Sequence, residues 1–414
     1  MSIEAKIRRK PARAQFSSLL FFFCLISPSI FAQAPNSDIR AAAAAGDAQA
    51  QFDLANSILH SRYATLNYAE MVDWYRKSAA QGFAPAQNQL GSMYENNIGL
   101  PQSDKRAATY YRLAANQGFA QAEFNLAALF ESGRGLHRDY KQALSWYRKA
   151  ADQNLAAAEK QVGFFYQSGW GVKRDYAPAL AWYRRAADHG NSDAENQLGF
   201  MAEEGWGEPQ DYNEALSWLY KAAEHGSAQA EENIGYIFQH GGPGVSIDYA
   251  QAMSWFIKAA VRGNGDAQNQ IGWMYQYGQG VTVDVARAMT WYQLAADQGN
   301  TQGINNVQSL TDDLDEEGDY QNATLHVSDD ALEQARRWAK IQYLHSQIDK
   351  LETDAVYQDD LVYQLTHTGK GKTGAVVKLF NGMGSVGAVK FRLEAAKYRA
   401  QAAQLRDELA QVEK

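Results

Sequence analysis

Apolar and polar positions along this chain alternate on two scales. On the short scale, apolar residues recur every three or four positions, the spacing that gathers them on one face of a helix. In the segment 122–131, Leu126, Leu129 and Phe130 share such a face. Gly133 and Gly135 follow, a pair suited to the left-handed end of a helix. A second helical stretch, 140–152, puts Ala143, Trp146 and Ala150 in line. Small residues flanking one large ring let a neighbouring helix come close, so the indole is expected to fill the groove.

On the long scale, this pair of helices recurs. Gly46, Gly82, Gly118, Asn154, Gly190, Gly226, Gly263 and Gly299 open successive units, in steps of 36 residues except one of 37. The extra residue falls in Gly241-Gly242-Pro243-Gly244, a turn that tolerates insertion. Trp74, Tyr110, Trp146, Trp182, Trp218, Trp255 and Trp291 keep one register. Gly91, Gly163, Gly199, Gly235 and Gly272 recur inside the first helix of their units. Glycine there destabilises a helix by about 1 kcal/mol relative to alanine, so close helix contact is the expected compensation. The fold class is therefore all-α: a solenoid of seven helix–turn–helix repeats and a capping half repeat over 46–311. The first unit is degenerate, with His60-Ser-Arg-Tyr63 in place of the glycine turn; the last half unit puts Val307 and Leu310 in core positions.

Beyond the repeats, the acidic stretch Asp312–Asp319 predicts a solvated linker over 312–327. A helical C-terminal region, 328–414, follows. Ile341, Leu344, Ile348, Leu351 and Ala355 form one apolar seam, and Phe391, Ala395, Tyr398, Ala402, Leu405, Leu409 and Val412 another. Both seams suit coiled-coil-like packing, either as an intramolecular hairpin on the solenoid end or as a homodimer. Between them, the glycine-rich segment 369–387 carries Lys370, Lys372 and Lys378. It reads as a loop or hairpin around Asn381-Gly382, or as a weak contact of 369–392 with an anionic membrane surface.

The first residues change the setting. Lys6, Arg8, Arg9, Lys10 and Arg13 precede the short apolar run Leu19–Phe31, and Ala32-Gln33-Ala34 offers small residues for cleavage. This is the pattern of a signal peptide over 1–32, with cleavage after Ala32 or Ala34, and it predicts a periplasmic or secreted protein. Cleavage removes Cys24, the one cysteine, and with it disulfide, zinc–thiolate and cysteine-nucleophile chemistry. It also removes five basic residues and one acid, taking the formal charge from −8 to −12. Such an acidic chain has no bulk attraction for nucleic acid.

Asp139-Tyr-Lys-Gln-Ala-Leu-Ser-Trp-Tyr-Arg-Lys-Ala-Ala151 and Ala230-Glu-Glu-Asn-Ile-Gly-Tyr236 resemble the signature of the Sel-one-like repeat family, relatives of the tetratricopeptide repeats. The resemblance spans Gly46–Gly299. It implies a right-handed α/α superhelix serving as an adaptor or scaffold, with first helices lining the concave surface. Some cysteine-rich members were described as binding penicillin. This chain departs from those in having no cysteine beyond the leader and no Ser-x-x-Lys to acylate.

No residue set points to catalysis, a cofactor or a metal. Gly382-Met-Gly384-Ser-Val-Gly387 has the spacing of a dinucleotide fingerprint but lacks the second strand and its acidic residue. Gly371-Lys372-Thr373 lacks the earlier glycine of a phosphate loop, where Thr366 stands. His189 and His225 occupy the helix-end position held elsewhere by Gln81, Gln117, Arg262 and Gln298, and read as caps.

One pattern carries a binding expectation. The seventh and eleventh positions of each unit lie four apart on one face of the first helix. The eleventh is Phe164, Phe200, Tyr236 and Trp273 in four successive units, flanked at the seventh by Asn196 and Asn269. These six residues are the candidate partner-binding set, for a protein or peptide, with packing between neighbouring first helices as the alternative. Trp170 and Trp206, in Gly-Trp-Gly turns, are further exposed candidates or fold back over their own repeats. The leading function is a non-enzymatic scaffold. A peptidoglycan- or β-lactam-binding or hydrolysing enzyme and a structural oligomer through the C-terminal helices are the alternatives.

The leader gives the first prediction. Mass spectrometry of the envelope fraction is expected to find an N-terminus at Gln33 or Pro35. An intact N-terminus on a cytosolic protein would contradict it.

Overall fold

The computed structural model describes residues 37–60, 67–316, 329–367 and 384–413. Every regular element among them is a helix. A short helix, α1 (Ser37–Ala44), precedes the repeats. Pairs then follow in order: α2 (Ala48–Leu59) with α3 (Tyr68–Ala80), α4 (Ala84–Asn96) with α5 (Asp104–Ala115), and α6 (Ala120–Ser132) with α7 (Tyr140–Asp152). Next come α8 (Ala156–Ser168) with α9 (Tyr176–Asp188), and α10 (Ser192–Glu204) with α11 (Tyr212–Glu224). The last pairs are α12 (Ala228–His240) with α13 (Tyr249–Val261), and α14 (Gly265–Tyr277) with α15 (Val285–Asp297). The half repeat α16 (Thr301–Glu316) and the long helices α17 (Asp329–His367) and α18 (Gly384–Val412) complete the chain. None of these helices is long and apolar enough to cross a membrane.

The chain divides into two compact units, 1–122 and 123–414. In each, a helix packs on its sequence neighbours, so the architecture is an all-α solenoid of stacked helix pairs. Local chemistry sets the element ends. An aspartate caps most second helices: Asp139, Asp175, Asp211, Asp248 and Asp284 each accept a hydrogen bond from a first-turn backbone N–H. First helices such as α8 and α10 stop at left-handed glycines, Gly169 at φ 74° and Gly205 at φ 69°.

Inside a pair, the helices meet at a glycine. A Cβ on Gly91 would stand 2.6 Å from the Tyr111 ring, and one on Gly163 would stand 2.9 Å from Tyr183. Gly199, Gly235 and Gly272 meet Leu219, Phe256 and Tyr292 in the same way, at 2.6 to 2.7 Å. The tyrosines are buried and donate their hydroxyls back to the first helix of the pair: Tyr111 to Glu95 at 2.7 Å, Tyr147 to Glu131 at 2.6 Å, Tyr292 to Gln276 at 2.6 Å. Burial pushes the hydroxyls of Tyr75, Tyr183 and Tyr292 far above the usual phenol range, so they remain donors.

The residue filling the groove is therefore not the one expected. Ala143, Tyr147 and Ala150 form the buried line of α7, while Trp146 lies one position off it and is half-buried. One residue turns a helix by about 100°, enough to carry a side chain from the core to its margin. The displaced indoles take cations instead. Lys149 stands 3.6 Å from the Trp146 ring centroid, Lys221 4.1 Å from Trp218 and Arg185 5.1 Å from Trp182.

In the unit 123–414, α16 continues to Glu316, so the first part of the acidic stretch predicted as a linker is helical. Residues 317–328 and most of the 369–387 segment, Gly382 among them, lie outside the described residues, while Gly384 and Gly387 of the fingerprint-like run open α18. The two long helices pair antiparallel, joining Lys340 to Glu408 at 2.8 Å and Asp359 to Arg399. Leu344, Ile348 and Leu409 are buried between them, so the two apolar seams cover each other. This hairpin also packs on α13 and α15, where Trp338 meets Trp291 edge-on at 6.2 Å. Trp291 is accordingly buried, unlike the equivalent Trp146, Trp182, Trp218 and Trp255.

Two neighbouring substitutions separate core from margin. Tyr183→Ala is expected to destabilise the fold by about 3–5 kcal/mol, as for a large buried ring. Trp182→Ala should lower stability by only about 1 kcal/mol, the loss of a half-exposed ring and its cation. Denaturant unfolding of the two variants checks the order. Equal losses would place both rings in the core.

Candidate functional site

Positions seven, eight and eleven of the first helices share a face that borders the second helix, where the aromatic position-seven residues Phe52 and Phe124 meet Tyr75 at 5.8 Å and Tyr147 at 5.3 Å. Along α8 and α10, Lys160, Phe164, Asn196 and Gln197, with Gln229 from α12, line a groove of about 230 Å³. Lys160 spans it to Asp193 at 2.9 Å. The groove wall is amide-rich, with the Phe164 and Tyr183 rings among the amides, a surface able to hydrogen-bond an extended backbone while holding a side chain.

None of the four aromatics of the stripe is fully buried, although Phe164 and Tyr236 pack against the core, and each is braced by a second ring. Phe164 meets Trp170 edge-on at 5.1 Å, and Phe200 meets Trp206 at 5.1 Å in the same geometry. Tyr236 stacks on His240 at 4.1 Å, and Trp273 lies 4.2 Å from Tyr277. Exposure rises along the stripe: Phe164, Phe200 and Tyr236 are half-buried, while Trp273 is 39% and Tyr277 53% exposed. The indoles of Trp170 and Trp206 fold back, stacking on Tyr140 and Tyr176 at 4.8 and 5.1 Å. Their role is to prop the stripe against the preceding repeat.

The two amides of the candidate set sit differently. Asn196 and Asn269 are buried, and each accepts from an asparagine of the next repeat, Asn233 at 2.9 Å and Asn306 at 2.8 Å. They join successive first helices. The amide face of the groove thus rests on a ladder that fixes the spacing of the stripe.

A second ladder, not apparent from the spacing within single helices, backs the face. Position six is polar and buried in every repeat: Gln51, Gln87, Glu123, Glu159, Glu195, Glu231 and Gln268. Each meets the residue 30 or 31 further on, at the end of its second helix. Gln81 bonds Gln51 at 2.9 Å, Gln117 bonds Gln87 at 2.8 Å, Gln153 bonds Glu123 at 2.8 Å and Gln298 bonds Gln268 at 2.6 Å. His189 meets Glu159 at 2.7 Å, His225 meets Glu195 at 2.8 Å and Arg262 meets Glu231 at 3.2 Å. The residues at the helix ends are therefore partners of a buried polar row as well as caps. The signal was present in the sequence: in three of the four repeats where position six is acidic, the distant position turns from glutamine to histidine or arginine, Glu123 with Gln153 being the exception.

Burial raises the carboxyls of Glu123 and Glu231 above the usual range, with Lys149 and Gln153 partly offsetting the first and Arg262 the second. Among the described residues, no group of three or more histidine, cysteine or acidic side chains could hold a metal ion.

A model of the Sel1 repeat matches the chain seven times, at residues 48–83, 84–119, 120–155, 156–191, 192–227, 228–264 and 265–300. Among solved structures, a Sel1 repeat protein from Oxalobacter formigenes is 34% identical, covering 66% of this chain and 78% of that one, with a TM-score of 0.55. The c5321 protective antigen of uropathogenic Escherichia coli is 24% identical over 90% of this chain and 94% of its own, with a TM-score of 0.44. A putative Sel1 repeat protein from Klebsiella pneumoniae is 24% identical over 49% of this chain and 99% of its own, at 0.35. No curated protein matches.

The ladder makes a pH prediction. A carboxyl raised above its ordinary 4.5 is more protonated folded than unfolded. Its contribution to stability is present below that value and lost as pH rises through the raised one. Glu123→Gln, which copies the Gln87–Gln117 rung, is expected to melt above the parent at pH 8. The difference should shrink as pH falls towards 4.5, measured by thermal unfolding across pH. A difference that is constant with pH would contradict this.

Proposed function

We propose, from the premise that this chain belongs to the Sel1 repeat family, that it is a non-enzymatic scaffold receiving an extended peptide segment of a protein partner on its first-helix face. Sel1 repeat proteins generally act as protein-interaction scaffolds. The observation that carries the finer reading is the groove over α8, α10 and α12, where Phe164 and the amides of Asn196 and Gln197 line one cleft. The rings of Tyr236 and Trp273 extend the same face through α12 and α14. Half-exposed rings held by second rings are already ordered, so a ligand stacking on them avoids much of the usual entropic penalty. Export to the periplasm or beyond, read from the leader, is part of the proposal.

Replacing Tyr236 and Trp273 together by alanine tests it. Thermal stability is expected to fall by no more than about 1 kcal/mol, as for partly exposed positions. Capture of partners by crosslinking from the native envelope should drop about thirtyfold, since central aromatic anchors carry about 2 kcal/mol or more. A strongly destabilised variant, or one with undiminished capture, would remove these rings from the binding face.

A further inference from the structure

The hairpin meets the solenoid imperfectly. Between α13, the turn after α14, and α17 lies a cleft of about 340 Å³, on the second-helix side and separate from the first-helix groove. This is at the small end of ligand-pocket volumes. One wall is apolar, with Met253 and Ile257 from α13, Tyr275 and Val281 from the seventh repeat, and Trp338 from α17, while Gln342 and Ser346 of α17 line the other side. Ile257 and Tyr275 are buried, and Met253, Val281 and Trp338 are half-buried.

One cation enters this apolar space. The Lys258 ammonium lines the cleft and stands 3.6 Å from the Trp255 ring centroid. Among the described residues no carboxylate lies within ion-pair distance of it, although Lys77, Lys160 and Lys340 each have one at 2.7 to 2.9 Å. Glu231, the acid whose charge acts on it, is already held by Arg262. Burial pulls the Lys258 ammonium below its usual range, with Glu231 partly offsetting it and Lys350 adding repulsion. Ser254, His345 and Asp349 form the exposed rim, so the one acid stands at the mouth with His345 and Lys350 near it. An ammonium has three donors, and a partly desolvated one is stabilised most by an anion that brings its own apolar body.

We propose that this cleft is a binding site for a small amphiphilic carboxylate, its charged end on Lys258 and its aliphatic body against Met253, Ile257, Tyr275, Val281 and Trp338. Because Trp338 belongs to the hairpin and Lys258 to the solenoid, the bound molecule bridges the two. Nothing in this assignment depends on the first-helix groove.

Octanoate is the probe, titrated calorimetrically into the full chain, with octanol as the uncharged counterpart. Octanoate is expected to bind with a Kd below about 1 mM, and octanol about tenfold more weakly, the loss of one charge-assisted contact. Lys258→Met, which keeps the stem and removes the charge, should weaken octanoate about tenfold and leave octanol unchanged. Ser254→Phe at the exposed rim should block both by filling the mouth, and it decides the question if Lys258→Met does not fold. Absence of octanoate binding, equal affinity for octanol, or full binding by Ser254→Phe would each overturn the proposal.

Discussion

In five of the seven repeats, a glycine in the first helix faces a large side chain of the second with no room for a Cβ between them. This contact sets the separation of each pair, and most other features follow from it. A glycine inside a helix lowers its intrinsic stability, so the pair holds only while the ring stays seated. The seated tyrosine must also satisfy a hydroxyl in a dry place. It does so by donating back to its own first helix, as Tyr111 does to Glu95. The ring thus ties the two helices by packing and by one directed bond. Positions seven, eight and eleven of the first helix lie beside this contact, and the proposed binding face is built on them.

Close packing of small residues raises a second demand, for polar groups where backbone carbonyls are buried between repeats. Glutamine meets it by itself. Gln51 and Gln268 each accept from a distant glutamine and donate to the carbonyl of Ala43 and Ala260. A glutamate cannot donate, so the substitution at Glu159 needs another donor. Arg185 supplies it, bonding the Ala151 carbonyl at 2.7 Å and the Glu159 carboxylate at 2.5 Å while lying over Trp182. The middle repeats therefore trade a self-sufficient amide for a charged cluster reaching the Trp margin of the second helices. Removing one member of such a cluster strands a buried charge, whereas the amide rungs tolerate loss better.

The repeat period, the helix pairs, the turn glycines and the glycine-mediated approach were all legible in the sequence, because each is a local rule repeated many times. The choice of groove-filling residue was not. Trp146 and Tyr147 share the same 36-residue register, and periodicity cannot tell which of two adjacent rings faces inward. The buried alanines could: Ala143 and Ala150 lie four before and three after Tyr147, the spacing of one helix face. Asn196 and Asn269 were placed on the right helix, but their pairing with the next repeat depends on inter-repeat distance, which no single helix encodes. The extra helix α1 was missed because it precedes the first recognisable repeat glycine, although its buried Ala43 continues the pattern. The position-six row needed a comparison between residues thirty apart, one that only the solenoid geometry suggests.

The hairpin shows how one surface acquires different uses along the repeats. Trp146, Trp182 and Trp218 stand at the margin of their second helices, each with a cation over the ring. A ring so arranged is stable exposed and also ready to be covered, since its cation can swing aside along a flexible stem. At Trp291 the residue three positions on is Leu294, and an indole from α17 takes the place of the cation. Trp255 stands between these two regimes: it keeps Lys258 over its ring, yet the hairpin has come close enough to desolvate that lysine. The cleft arises at that boundary, where a surface built for water meets a surface built for packing. The state of its charge follows from the transition itself, because a cation suited to an exposed indole has been enclosed without gaining an ion-paired acid among the described residues.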